Sequence, residues 1–397
     1  MDTNNPTLFI EINETKYIFV AGYYDDHQIL KVQEKIITST KGISDKKFIN
    51  IDDASKILKK NIRDIEKKLN YVFKTVNLIL DDFEYNCINV SSFKKLNGSQ
   101  VLKENISYIL NSLKLSISDN EKKQTILHIF NSKSFLDGTN IENLPIGLYG
   151  DFFSHELTFF LIRNNDLNNI NQIFNKNNIR VKKIFLKSFN EGTQLISQNK
   201  IETFFKIDIN QHTSKIIFFD QSSFRYSEHF NFGTDMIIKD IGKICSIDND
   251  MIIEFLSHSR SEKKSFDESD LLEKKYFIKD NYRKIRKKLI FDIAKARINE
   301  IVDIILNKNI NLNSFKHKNC KVYFTIKDEV ILGNFEGYFK FYFSKFKSVE
   351  LNLIADFSLE SSIANVGKLS AFGWKKEAIP FTQVKSSLIT RVFKTIF

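Results

Sequence analysis

Apolar and polar positions follow two periods along the 397 residues, and the places where the period changes divide the chain. Two-residue alternation predicts strands at 8–12 and 17–20 around the polar turn Asn13-Glu14-Thr15-Lys16, with a third strand at 29–37. At 51–70, Ile57, Leu58, Ile62, Ile65 and Leu69 recur on one face behind the candidate caps Asp52 and Asp53, which predicts an amphipathic helix. A strand at 76–80 follows. From 81 to 151 the texture breaks into short segments divided by Asn, Ser and Gly, as in an inserted subdomain, with a helix at 100–113. Strand patterning returns at 156–163, followed by a helix at 166–177, a strand at 181–186 and a short helix at 191–197.

The stretch 204–220, FFKIDINQHTSKIIFFD, predicts a mid-chain hairpin. Phe205, Ile207 and Ile209 alternate with Lys206 and Asp208, and 216–219 is a short unbroken apolar run of the kind buried on both faces. Asp208 therefore falls where the first arm ends. A strand-end carboxylate before a small polar turn suits a magnesium nucleotide, with turn amides on the phosphate oxygens. The turn residues Asn210, Gln211 and His212 include no glycine, so these residues alone favour an ordinary hairpin over a nucleotide site. Phe232-Gly233-Thr234-Asp235 opens a helix at 236–245, 257–270 reads as a charged surface loop, and 282–308 reads as one long helix. Its stripe is Ile285, Leu289, Ile293, Ile298, Ile301, Val302, Ile305 and Leu306. A strand at 321–325 follows. After Pro380, the segment SSLITRVFKTIF places Leu388, Ile389, Val392, Phe393, Ile396 and Phe397 on one half of a helical wheel. Ser387, Thr390, Arg391, Lys394 and Thr395 take the other half, and such a helix can lie in a membrane interface.

Composition changes this picture little. Hydrophobic residues make up 42% of the chain, with 38 Phe, enough for sizeable cores. The net charge of +11 comes almost wholly from Lys, with nine Arg, so it argues against a nucleic-acid surface built from Arg clusters. Cys87, Cys245 and Cys320 form no CxxC pair, the opening MDTNNPTLF lacks the features of a signal peptide, and no apolar run approaches the length of a membrane span. These features predict a reduced, cytoplasmic protein whose membrane contact is peripheral. None of the sequences GxxxxGK[ST], GxGxxG, GxSxG or HExxH occurs, and His317-x-x-Cys320 lacks further ligands nearby.

The most distinctive text lies inside the insertion: ILHIFNSKSFLDG at 126–138, then NLPIGLYG at 143–150. It resembles the bacterial cell-division FtsA family, whose extra subdomain carries H-x-x-P, an aromatic before I/V-D, and N-P-x-G-L/M-x-G. His128, Phe135, Asp137, Pro145, Gly147, Leu148 and Gly150 fit, while Asn131 and Leu144 depart from it. The resemblance extends over nearly the whole chain. It implies an α/β, actin-like fold of two lobes, with subdomain 1A at 1–80 and 164–200 and the inserted subdomain 1C at 81–163. Subdomain 2A would span 201–233 and 315–373, with 2B at 234–314. A linker and C-terminal membrane-targeting helix would occupy 374–397.

The resemblance also implies three nucleotide loops. Glu11, Asn13, Thr15 and Lys16 stand at D/E-I-G-T-x-K, and Asp208, Asn210, Gln211 and Thr213 at D-I-G-G-G-T. Thr325 opens the adenosine loop T-G-G, which reads here Thr325-Ile326-Lys327. Gly233 matches the glycine at a helix start beside the nucleotide, and Glu254 an acidic residue at the adenosine. Six glycines of these loops are replaced, each by a residue carrying a Cβ where backbone should meet phosphate or purine. ATP with Mg is therefore expected to bind weakly or not at all, and no catalytic residue is expected. Arg297 and Glu300, one turn apart on a helix, match an Arg-x-x-Glu that receives the acidic C-terminal peptide of FtsZ. The implied function is a filament-forming adaptor, not an enzyme, that holds FtsZ on anionic inner-leaflet lipid at the division site and contacts other divisome proteins. The alternative is an actin-fold ATPase of a pilus-type assembly system.

Overall fold

The computed structural model describes residues 5–378, apart from 26–28, 45, 82, 260–266, 268, 278–281, 314, 316–319 and 346–349. The chain divides into two compact units: 1–202 with 220–225 and 358–397, and 203–219 with 226–357.

In the first unit, β1 (Thr7–Ile12) pairs antiparallel with β2 (Lys16–Tyr24), which pairs antiparallel with β3 (Leu30–Ser39). A short hairpin of β4 (Ile43–Ser44) and β5 (Lys47–Phe48) leads to α1 (Ile51–Leu69). Asn50 caps α1 by accepting the amides of Asp52 and Asp53, and Asn70 closes it in the left-handed conformation. Its apolar face buries Ala54, Leu58, Ile62 and Ile65. β6 (Thr75–Leu80) then joins β1 in parallel.

The insertion follows, and here the expectation of short broken segments is corrected. Residues 85–163 contain three long strands, β7 (Tyr85–Lys95), β8 (Gln124–Leu136) and β10 (Phe152–Arg163). They are accompanied by α2 (Lys103–Asn120) and the short β9 (Thr139–Ile141), in the sheet order β7-β10-β8-β9. Alternation along the edge strand 85–95 puts Asn89 and Ser91 on one face and Asn86 and Ser92 on the other, the face of Ile88 and Val90. Ile88 and Val90 pack toward Ile109, Leu113 and Phe159. α3 (Asn164–Asn175), β11 (Arg180–Leu186) and α4 (Lys187–Asn199) return the chain to the first sheet. That sheet reads β11-β6-β1-β2-β3, with β11 parallel to β6.

The second unit repeats the pattern. β12 (Phe204–Ile209) pairs antiparallel with β13 (Ser214–Asp220), which β14 (Ser223–Phe230) flanks. α5 (Asp235–Cys245), α6 (Asn249–Ser259) and α7 (Lys287–Val302) follow. β15 (Lys321–Ile326) lies parallel to β12, and after α8 (Glu329–Ser344) the strand β16 (Leu351–Leu353) lies parallel to β15. The order β14-β13-β12-β15-β16 copies the first sheet's arrangement of a central strand with one antiparallel and one parallel neighbour. The helix read over 282–308 is shorter, ending in one π-helical turn at Asp303–Asn307. Residues 257–259, read as loop, close α6.

Two segments read as part of the second lobe pack with the first unit. Phe224 stacks on Phe160 at 4.2 Å between ring centroids. α9 (Leu359–Phe372) receives the Asn190 side chain at Ser362 Oγ (2.8 Å) and the Tyr24 hydroxyl at the Gly367 carbonyl (3.1 Å). Residues 374–378, read as the start of a linker, are tied down too. Trp374 Nε1 donates to Ser222 O, Asn131 N donates to Lys376 O, and Ala378 N donates to Ile129 O. His128 Nδ1 meets Glu377 Oε1 at 2.9 Å.

Candidate functional site

Each sheet ends its central strand on a carboxylate at the same place. Glu11 is the last residue but one of β1, and Asp208 the last but one of β12. Both are buried, 1% and 3% exposed. The turns behind them, and what those turns do with their amides, decide what each end can bind.

In the first unit, Asn13 closes the β1–β2 turn on itself. Its Oδ1 accepts the amides of Thr15 (3.0 Å) and Lys16 (2.7 Å) and the Thr15 hydroxyl (3.1 Å). With glycine at 13 those amides would be open to an anion; here a local Asx-type bond consumes them. Thr15 and Lys16 are exposed. Glu11 is held by Lys187, the first residue of α4, whose Nζ lies 2.7 Å from Glu11 Oε1 and 2.7 Å from Asp81 Oδ2. Burial raises Glu11 above the usual carboxylate range, since it shares the ammonium with Asp81 and has Glu191 nearby. Burial works against the charge of Lys187, but Asp81, Glu11 and Glu191 outweigh it and hold the lysine well above its ordinary value.

In the second unit, Lys206 and Asp208 share one face of β12, and Lys206 Nζ lies 2.5 and 2.6 Å from the two carboxylate oxygens. Lys215, opposite Asp208 on β13, adds a second ammonium at 3.6 Å. The turn is again closed internally. Asn210 N donates to Thr213 O (2.8 Å) and Asn210 Nδ2 to Thr213 Oγ1 (3.3 Å). The amides of Thr234 and Asp235, at the start of α5, donate to the carbonyls of Asn210 (3.0 Å) and Gln211 (2.9 Å). A helix N-terminus that could face a phosphate faces the protein's own turn. Gly233 makes this approach possible: a Cβ there would stand 2.2 Å from Asn210 O and 2.5 Å from Gln211 O. Asp235 pairs with Lys239 (2.6 Å) and His212 (3.1 Å). These partners outweigh its partial burial and hold it below the usual carboxylate range.

The third loop behaves likewise. The Lys327 amide donates to Ile209 O at 3.1 Å, and Asp328 caps α8 while accepting the Thr234 hydroxyl. The buried Thr325 Oγ1 and Asn210 Oδ1 have no hydrogen-bond partner, but an ionised phosphate offers the latter only a second acceptor. Glu254 is exposed on α6. The residues present therefore do not fit a magnesium nucleotide: the backbone donors are spent and the carboxylates carry ammonium partners. Sequence reading missed Lys187 and the Lys206 pairing. The available signals were a lysine at the β11–α4 junction and the two-residue spacing Lys206-x-Asp208.

Arg297 and Glu300 lie together on α7. Arg297 bridges Asp240 of α5 (2.5 Å) and Glu300 (2.5 Å), and the Asp240 bond raises its pKa further. Its guanidinium is thus half-committed to the protein, which the sequence pair did not disclose. In the insertion, Asp137 accepts the amides of Asp151 (2.9 Å) and Phe152 (2.8 Å) from a left-handed conformation. A Cβ at Gly150 would stand 2.5 Å from Leu136 Cδ1. This loop presents Ile146, Leu148, Tyr149 and Phe152 to solvent. The membrane-helix residues Leu388, Ile389, Val392, Phe393, Ile396 and Phe397 lie outside the described residues, as does His317. Among the described residues no helix is long and apolar enough to cross a membrane.

Two units, each built on one strand flanked by an antiparallel and a parallel neighbour, define the actin-like ATPase fold. A solved chain of a PilM–PilN type IV pilus biogenesis complex aligns with a TM-score of 0.53 over 93% of this chain and 97% of its own, at 9% identity. MreB5 of Spiroplasma citri, in an ADP-bound structure, aligns at a TM-score of 0.45 and 9% identity, over 93% of this chain and 97% of its own. Within that class the chain is FtsA-like. The cell division protein FtsA of Buchnera aphidicola subsp. Schizaphis graminum is 21% identical over 325 residues, covering 79% of this chain and 75% of the relative. No protein-family model matches the chain.

Proposed function

We propose that this protein is a cell-division adaptor of the FtsA type: it binds the C-terminal peptide of FtsZ, self-associates into filaments, and holds both at the cytoplasmic membrane surface. The observation that carries the reading is the inserted sheet β7-β10-β8-β9. It interrupts the chain between β6 and α3 and bears the 128–150 phrase that resembles the FtsA insertion. On this reading 81–163 is subdomain 1C, and the exposed Ile146, Leu148, Tyr149 and Phe152 form part of a self-association surface. Subdomain 2B carries Arg297 and Glu300 as the receptor for the acidic tail, and 386–397 is the amphipathic anchor. The protein works by tethering rather than by turnover, with nucleotide weakly held or absent. The pilus-type alternative draws only on a fold alignment at 9% identity. Downstream divisome proteins would dock on the assembled filament.

The test is binding of an FtsZ C-terminal peptide by fluorescence anisotropy. Arg297→Glu should weaken it by about 1–3 kcal/mol, since it places a carboxylate between Asp240 and Glu300 where an acidic ligand must approach. Arg297→Lys should lose less. Peptide affinity indifferent to both changes would remove Arg297 from the site.

A further inference from the structure

We propose that lysine ammonium groups stand, within each lobe, where the fold would otherwise hold a metal–nucleotide charge, so that the protein reaches its working state without Mg–ATP. Lys187 serves Glu11 and Asp81 in the first unit, and Lys206 with Lys215 serves Asp208 in the second. The inference rests on reading the β1–β2 and β12–β13 turns as the fold's phosphate loops, not on FtsZ binding.

Glu11 and Asp208 hold the same position in two sheets of matching strand arrangement, each the last residue but one of the central strand. Buried carboxylates there need a cation, because an ionised oxygen taken from water without one is strongly disfavoured. In both units the cation is covalently part of the chain. Lys187 reaches Glu11 from the first residue of α4, across the sheet edge where β11 ends, and engages two carboxylates at 2.7 Å each. Lys206 reaches Asp208 from two positions earlier on the same strand, with both oxygens engaged. The lysines come from different elements in the two units, yet the result is the same.

A divalent cation approaching either carboxylate would meet a fixed positive charge within hydrogen-bonding distance of its ligands, an unfavourable interaction in a buried setting. Phosphate fares no better. The amides of Thr15, Lys16, Thr234, Asp235 and Lys327 already donate to oxygens of the protein. In the first unit an anion would have to displace Asn13 from the amides of Thr15 and Lys16, and in the second it would have to strip the turn carbonyls and Ile209 O of the amides of Thr234, Asp235 and Lys327, leaving those carbonyls unpaired.

The experiment is thermal unfolding of the full chain with and without about 1 mM Mg–ATP, and with ATP plus chelator, alongside Mn²⁺ binding followed by electron paramagnetic resonance. A site of micromolar affinity would raise Tm by about 5 °C or more at that ligand excess. The expected result is no shift in either arm and no bound Mn²⁺ signal; a shift in either arm, or a bound Mn²⁺ signal, overturns the proposal. Lys187→Met tests the substitution itself: it should lower Tm or gain a Mn²⁺ signal, and adding Asp81→Asn should restore part of the lost Tm. Should Lys187→Met fail to fold, Lys187→Met with Glu11→Gln and Asp81→Asn should recover folding, since the charge needing compensation is gone. Lys187→Met that keeps the parent Tm without binding Mn²⁺, or a neutralised triple variant that stays unfolded, contradicts the role given to the lysine. Peptide binding at Arg297 is untouched by any of these results, so the two readings fail separately.

Discussion

Removing the ammonium of Lys206 should expose how the second unit tolerates a charge inside its sheet. Lys206 and Asp208 are 2% and 3% exposed and bonded through both carboxylate oxygens. Breaking such a buried pair from one side costs about 3–5 kcal/mol, because the remaining charge is left uncompensated. Lys215, 3.6 Å from Asp208 and itself buried, recovers part of that, which brings the expectation for Lys206→Met to about 2–4 kcal/mol. Replacing both partners, Lys206→Met with Asp208→Leu, should recover part of that loss, since the apolar pair needs no counter-charge while Lys215 gives up its 3.6 Å carboxylate. The two units need not unfold together, and the sole tryptophan, Trp374, belongs to the first. The assay is accordingly native-state hydrogen exchange of the β12 and β13 amides, whose protection reports the opening of this sheet. Protection unchanged in Lys206→Met, or lost equally in the single and double variants, would refute the reasoning.

Two further outcomes follow from particular contacts, and a third from the sequence after Pro380. His155 is 1% exposed between Asn131 Oδ1 (2.9 Å) and Ser134 Oγ (3.0 Å), and burial pulls its pKa from 6.5 to about 4. The unfolded chain therefore binds the extra proton first as pH falls, so about 3 kcal/mol present above pH 6.5 should drain away toward pH 4, and His155→Gln should flatten that slope in urea titrations. Gly233→Ala should destabilise the second unit by about 1–3 kcal/mol, read by the same exchange experiment, because the methyl collides with two turn carbonyls that cannot retreat without losing the α5 amides. Deleting 386–397 should abolish partition onto anionic vesicles while leaving Tm unchanged; a truncated protein that still floats with lipid would remove the anchor from that segment.

How far the sequence carries depends on what each residue has to satisfy. α1 was legible from its apolar spacing, with Leu58, Ile62 and Ile65 facing the core, but its cap was not: Asn50 caps the helix, and the expected caps Asp52 and Asp53 lie in its first turn. The mid-chain hairpin was legible for the same reason. The strands β7 and β8 were not: in β7 Asn86 and Ser92 interrupt the face of Ile88 and Val90, and in β8 a period of two loses its register at bulges opposite Leu157 and Leu161 of β10. The return of 358–378 to the first unit was hidden because it depends on contacts more than 130 residues apart, such as Asn190 with Ser362 and Ser222 with Trp374. At the candidate nucleotide site, the missing glycines disclosed only that a side chain stands in each loop. Asn13 adds bulk and also takes the amides for itself, and the lysines that answer Glu11 and Asp208 are visible only once the strands are laid side by side.

The central claim is that this chain tethers FtsZ to membrane as an actin-fold adaptor, with assembly independent of nucleotide. The most direct measurement is flotation of FtsZ filaments with anionic vesicles in the presence of the purified full-length protein, with and without Mg–ATP. The account predicts that FtsZ rises with the lipid equally in both conditions, and that FtsZ lacking its C-terminal peptide stays at the bottom. FtsZ left behind while the protein itself floats, or carried up only when Mg–ATP is added, would contradict it.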